Sequence, residues 1–234
     1  MHPHRVHCLV IDGVVDSKDY YSSMLGEELV DADSIMDKFA EYCYAAGPET
    51  CAMFTGKSPS DITSAINKVV ADLYKAPLVA HMSDIEPPEI LTHSDLMRYV
   101  FRTLYTPYQS FPELAEIFAD LRAKNGSLLG HWKRRNPTSS CPSAECRREG
   151  PYGPDCLDPS GLVEEAGAAV ACTDGIHGRD LTKEQVRSQV KVFMGKSRWI
   201  GGTYASIFSG LCNNWKARAA CKFDGMCVRV YSNF

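Results

Sequence analysis

Ten cysteines are the residues of this sequence whose type and spacing say most about chemistry. Cys43 and Cys51 flank a segment in which Gly47 suits a helix C-cap and Pro48 the first turn of whatever follows. Two helices meeting there bring the thiols close, and a bridge closing so short a loop stabilises by roughly 2.5 kcal/mol in the chain-entropy treatment. Cys172, at the end of an apolar run, and Cys212, at the end of a helix before Trp215, are a second candidate pair. Cys141, Cys146 and Cys156, with Cys221 and Cys227 in the tail, are spaced C-x4-C-x9-C and C-x5-C. Those spacings lack the tight C-x2-C pairs of common zinc sites, so neither metal nor cofactor is expected. These five and Cys8 have no assigned pairing. Such a cysteine density is high for a cytosolic protein, and Asn125-Gly126-Ser127 is an acceptor sequon that matters only in a secretory lumen.

Nucleophilic chemistry is harder to find. A serine hydrolase needs its nucleophile on a sharp strand-to-helix turn of the form G-x-S-x-G, and no serine here meets that pattern. Asp16 and Asp174 each end an apolar run, where an acid reads as a turn former before it reads as a triad member. His2, His4 and His7 lie at the terminus, and His81, His93, His131 and His177 have no motif around them. No catalytic residue is therefore assigned.

The elements that must position these residues follow from periodicity. Val6 to Ile11, β-branched and ended by Asp12-Gly13, reads as a fully buried strand of a parallel sheet. Beginning on such a strand leads to the expectation that something is missing upstream. From Ser17 to about Asn125 the pattern is helical: Ile35, Phe39, Tyr42 and Cys43 share one face, and so do Ile62, Ile66, Val69 and Leu73. Ser58-Pro59-Ser60-Asp61 starts the second of these helices; Leu96 to Leu104 and a helix opening at Phe111-Pro112 follow. Residues 126–160, rich in Pro, Ser, Gly, Arg and Cys, read as a long exposed loop, with Lys133-Arg134-Arg135 a solvated basic stretch. Gly167 to Gly175 reads as a second buried strand, Thr182-Lys183-Glu184-Gln185 as a helix start, and Gly201 to Cys212 as a short helix.

Composition bounds the rest. The chain has 234 residues, 44% hydrophobic and 23% charged, enough for a full core and unlike a disordered or collagenous chain. A net charge of −4 argues against nucleic acid as the main partner. No run approaches the roughly 20 apolar residues of a membrane span, and Leu9-Val10-Ile11 runs straight into Asp12 instead of forming a signal core. The compartment is left open.

In order, these segments resemble one family, the fungal and bacterial tripeptidyl-aminopeptidase-like serine hydrolases. The matching residues are Leu9 to Asp16 with Asp19-Tyr20-Tyr21, Phe39 to Cys43 with Ala46 to Cys51, Ala169 to Gly175, and Cys212-Asn213-Asn214-Trp215. The order strand, helical block, strand, helices already reads as α/β with a cap, and the resemblance makes it an incomplete α/β-hydrolase fold, with few strands and a large helical cap. Residues 1–18 would be a strand and turn of the hydrolase core, 19–165 the cap with its long loop, and 166–234 a strand, helices and divergent tail. In that family the serine precedes the strand matching Val6 to Ile11, and the acid and histidine lie beyond the segment matching Trp215. None of the three carries over, and from about Gly225 the tail departs from the family. What matches is the part that shapes the substrate pocket. Descent from an exported hydrolase implies bridges Cys43–Cys51 and Cys172–Cys212.

The functional expectation is a truncated hydrolase-like protein, not catalytic on its own, that at most binds an apolar or peptide ligand through its cap or pairs with another polypeptide supplying the missing half. The alternative is an active hydrolase of peptides or small esters, in a fungal metabolite pathway, if the missing halves are supplied or the gene model is incomplete.

Overall fold

A computed structural model of the chain describes residues 3–22, 26–83, 87–136, 144–149, 153–154, 162–175, 180–217 and 219. Its first helix, α1, is Ser17–Tyr21, and Asp16 caps it by accepting the Asp19 N–H at 2.8 Å. Next come α2 (Ala32–Ala46) and α3 (Pro59–Lys75), then two three-residue strands, β1 (Leu78–Ala80) and β2 (Glu89–Leu91). The central helices are α4 (His93–Thr103), α5 (Pro107–Arg122) and α6 (Ser127–Arg135). Beyond them lie α7 (Ala144–Glu149), α8 (Leu162–Asp174), α9 (Lys183–Lys196), α10 (Gly201–Ala205) and α11 (Leu211–Asn213).

The helices form where apolar spacing and capping agree. In α2 the buried residues Ala32, Met36, Phe39, Ala40 and Cys43 make one stripe. Gly47, at φ 78°, ends that helix and donates its N–H to the Cys43 and Tyr44 carbonyls. In α3, Ile62, Ile66, Val69 and Leu73 are buried, and the Asp61 carboxylate accepts from the Lys57 N–H and the Ser58 hydroxyl to hold the start. Reciprocal capping boxes, Thr92 with Asp95 and Thr182 with Gln185, open α4 and α9. The α5 helix begins at Pro107, one turn before the expected Phe111-Pro112 start, and carries Pro112 inside it.

These stripes share one core. Phe39 meets Phe111 edge to face at 5.1 Å and lies 6.3 Å from Phe118. The α9–α10 pair closes against α2: Asp33 accepts from the Ser197 hydroxyl at 2.6 Å and the Arg198 N–H at 3.2 Å, and the Tyr204 hydroxyl donates to Glu28. Gly201 lies so close to the Phe193 carbonyl that a Cβ would collide with it. No helix among the described residues is long and apolar enough to cross a membrane.

The expected incomplete α/β-hydrolase fold is not what forms. The described chain is mostly helical, and its two strands pair only with each other, antiparallel, Leu78 opposite Leu91. Val6 to Ile11 is not a strand: Leu9 is 76% and Val10 93% exposed. A strand exists only where a neighbour takes its backbone hydrogen bonds, and no other described strand reaches it. The second expected strand, Gly167 to Gly175, lies largely in α8. Its alanines favour a helix, and a short apolar run cannot be told from a buried strand by periodicity. The loop expected over 126–160 begins instead with α6 and contains α7. Leu129 and Trp132, at i and i+3, are buried and give α6 its reason to form.

Candidate functional site

The four cysteines singled out by the sequence are brought together as two bridges. Cys43 and Cys51 have Cα atoms 5.3 Å apart, because α2 stops at Gly47 and the Cys51 N–H donates back to the Gly47 carbonyl at 3.0 Å. Cys172 and Cys212 have Cα atoms 4.9 Å apart. The expected strand-to-helix setting is here a contact between α8 and α11. The Trp215 indole donates to the Thr173 hydroxyl at 2.9 Å, and the Leu181 N–H to the Asn213 side chain at 2.7 Å, clamping both sides of the bridge. All four half-cystines are buried. Cys8 is an exposed free thiol, and Cys146 is half-buried and itself disulfide-bonded. Cys141, Cys156, Cys221 and Cys227 lie outside the described residues; among the described residues no group of three His, Cys, Asp or Glu could hold a metal.

The acids weighed for a triad do structural work. Asp16 caps α1, and Asp174 accepts from the Tyr20 hydroxyl at 3.0 Å, tying α1 to the end of α8. Burial, reinforced by Asp174, pushes the Tyr20 phenol up to about 12. His93 meets Tyr74 edge to face at 5.2 Å, and burial lowers its pKa below the ordinary imidazole value.

The feature that sequence reasoning missed is a cleft of about 380 Å³ lined by Glu113 and Glu116 of α5 and by Leu128, His131, Arg134 and Arg135 of α6. Its walls are positioned by the turn at Gly126. That residue sits at φ 77°, and a Cβ there would come within 2.7 Å of Leu91 and 2.8 Å of Leu78, so the chain can press onto the β1–β2 hairpin only as glycine. From this turn α6 runs back along α5, and buried Leu129 and Trp132 dock its inner face. Trp132 packs edge to face on Tyr99 at 5.1 Å, with the Arg98 guanidinium over its ring at 5.0 Å.

The basic stretch expected to be solvated is divided by this geometry. Lys133 pairs with Glu89 and Asp95, each at 3.2 Å, and Arg134 pairs with Glu89 at 3.3 Å while donating to the Pro87 carbonyl. Glu116, His131 and Arg135 have no ion pair among the described residues, so the α5 side of the cleft is acidic and the α6 side basic. The Tyr99 phenol is pushed above its ordinary value, first by burial and then by the Glu113 carboxylate beside it. The described residues lining it are two carboxylates, two guanidiniums and one imidazole, with Leu128 supplying apolar contact, an arrangement able to recognise charged groups. The pairs Glu113/Glu116 and His131/Arg134, each three apart, were the available signal once both segments were taken as helices.

Comparison with family models, with curated proteins and with solved structures gives no match.

Proposed function

We propose that this chain is a binding module of an oxidising compartment, without covalent chemistry of its own, that holds the charged ends of short peptides between α5 and α6. The observation that carries the reading is the cleft. Glu113 and Glu116 stand on one helix and Arg134 and Arg135 on the other, with Glu116 and Arg135 in no ion pair among the described residues. A peptide ammonium matches the first wall, its carboxylate the second, and an apolar side chain lies on Leu128. A volume of about 380 Å³ is near the small end for ligand sites, which suits a dipeptide rather than a protein segment.

Because the lining residues are mostly exposed, each charge contact contributes only about 0.2–1 kcal/mol, so the dissociation constant for leucyl-leucine should be millimolar at the tightest. NMR titration with leucyl-leucine, its N-acetyl form and its C-terminal amide reads this directly. Saturable shifts at Leu128 and His131, weakened several-fold by either blocked end and by Glu116→Gln or Arg135→Gln, are the expected result. Equal binding of all three ligands would refute recognition of charged ends. Stoichiometric fluorophosphonate labelling at a serine would refute the non-catalytic part.

A further inference from the structure

We infer that Asn125 is an acceptor for an N-linked oligosaccharide. It heads the one Asn-x-Ser/Thr triplet of the sequence without proline in the middle; the other such triplet, Asn136-Pro137-Thr138, is blocked by its proline. The fold supplies what the triplet alone does not. Asn125 is exposed in the turn joining α5 to α6, while Gly126 beside it is buried against Leu78 and Leu91. Asn125 is thereby presented on the outside of a turn whose middle residue faces inward. Its backbone N–H donates to the Asp120 carbonyl at 3.1 Å, and the Asp120 carboxylate accepts the Leu128 N–H at 3.1 Å, so the turn is braced independently of the Asn125 side chain. Among the described residues that side chain bonds within the triplet, its Nδ2 donating to the Ser127 hydroxyl at 3.1 Å. Replacing one Nδ2 hydrogen by a sugar therefore costs the fold a single exposed hydrogen bond. Two buried disulfides are the second, independent observation, since bridges form and persist in the compartments where this modification occurs.

The transfer balances without any redox partner. Nδ2 attacks C1 of the first sugar of a lipid-linked oligosaccharide pyrophosphate, the C1–O bond breaks with its electron pair on the pyrophosphate, and one Nδ2 proton passes to a base of the transferase. The inference rests on the oxidising-compartment part of the function proposed above and not on the cleft.

The test translates the full chain, behind a secretory leader and a tag carrying its own acceptor triplet, in the presence of microsomes, followed by endoglycosidase digestion. The wild-type chain should carry two glycans. Asn125→Gln and Ser127→Ala should each carry one, and Ser127→Thr should restore two. A wild-type product bearing the tag glycan alone overturns the inference, because the tag proves that the chain entered the lumen. Thiol alkylation of the same products tests the compartment reading separately: two glycans with Cys43, Cys51, Cys172 and Cys212 alkylated would uphold the acceptor and sink the oxidised fold.

Discussion

Removing the two bridges one at a time should destabilise the protein by amounts set by the loops they close. Cys43 and Cys51 are 8 residues apart, Cys172 and Cys212 are 40 apart. In the chain-entropy treatment the short loop contributes about 2.5 kcal/mol and the long one about 3.9 kcal/mol at 25 °C. Paired alanine substitutions remove two buried sulfurs in either case, since all four half-cystines are buried, so packing losses largely cancel in the comparison. The Cys172→Ala/Cys212→Ala protein should thus be less stable than Cys43→Ala/Cys51→Ala by about 1.4 kcal/mol. For a chain of this size, that is about 3–6 °C in Tm. Urea denaturation followed by circular dichroism, without reductant, measures both from their midpoints. Equal losses, or a larger loss for the short loop, would refute the reasoning and show that native packing around α2 and α8, not unfolded-chain entropy, sets the value of each bridge.

Two further outcomes follow from burial and charge. Val10→Asp should cost less than about 0.5 kcal/mol because the side chain is 93% exposed; a loss of several kcal/mol in the same denaturation assay would restore the buried-strand reading of Val6 to Ile11. At alkaline pH, Tyr20 has its folded value raised to about 12, and Tyr99 and Tyr204 are also raised, chiefly by burial. The unfolded phenols ionise near about 10, so the folded state favours the neutral form. This stability is fully present below about pH 10 and is lost as pH rises toward 12 and beyond. Ultraviolet tyrosinate absorbance should show a late, steep step coincident with unfolding. Ionisation of all eleven tyrosines in one early step, with the fold intact, would contradict it.

Much of the helical part was legible because a helix satisfies its backbone within its own segment. The stripe Ile62, Ile66, Val69 and Leu73 with Ser58-Pro59 ahead of it, and the Thr182–Gln185 box, contain the information needed to form α3 and α9. The Cys43–Cys51 bridge was legible for the same reason, since Gly47 alone reverses the chain between them. The residue pattern led instead to a sheet, through two apolar runs that look alike in sequence, and the resemblance agreed with it. Neither became a strand: Val6 to Ile11 stayed exposed, and Gly167 to Gly175 lies largely in a helix bridged to α11.

The sequence by itself determined the local stops and stripes, from Gly47 and Pro59 to the buried face of α2, and which cysteines lie near one another across a short turn. Only the tertiary structure decided whether the apolar runs would be strand or helix, and which charges would meet across a gap. A strand's hydrogen bonds and a cleft's second wall are both supplied by residues distant in the chain. Glu116 and Arg135 come to line one cleft because Gly126, with no Cβ, lets the α5–α6 turn press onto Leu78 and Leu91.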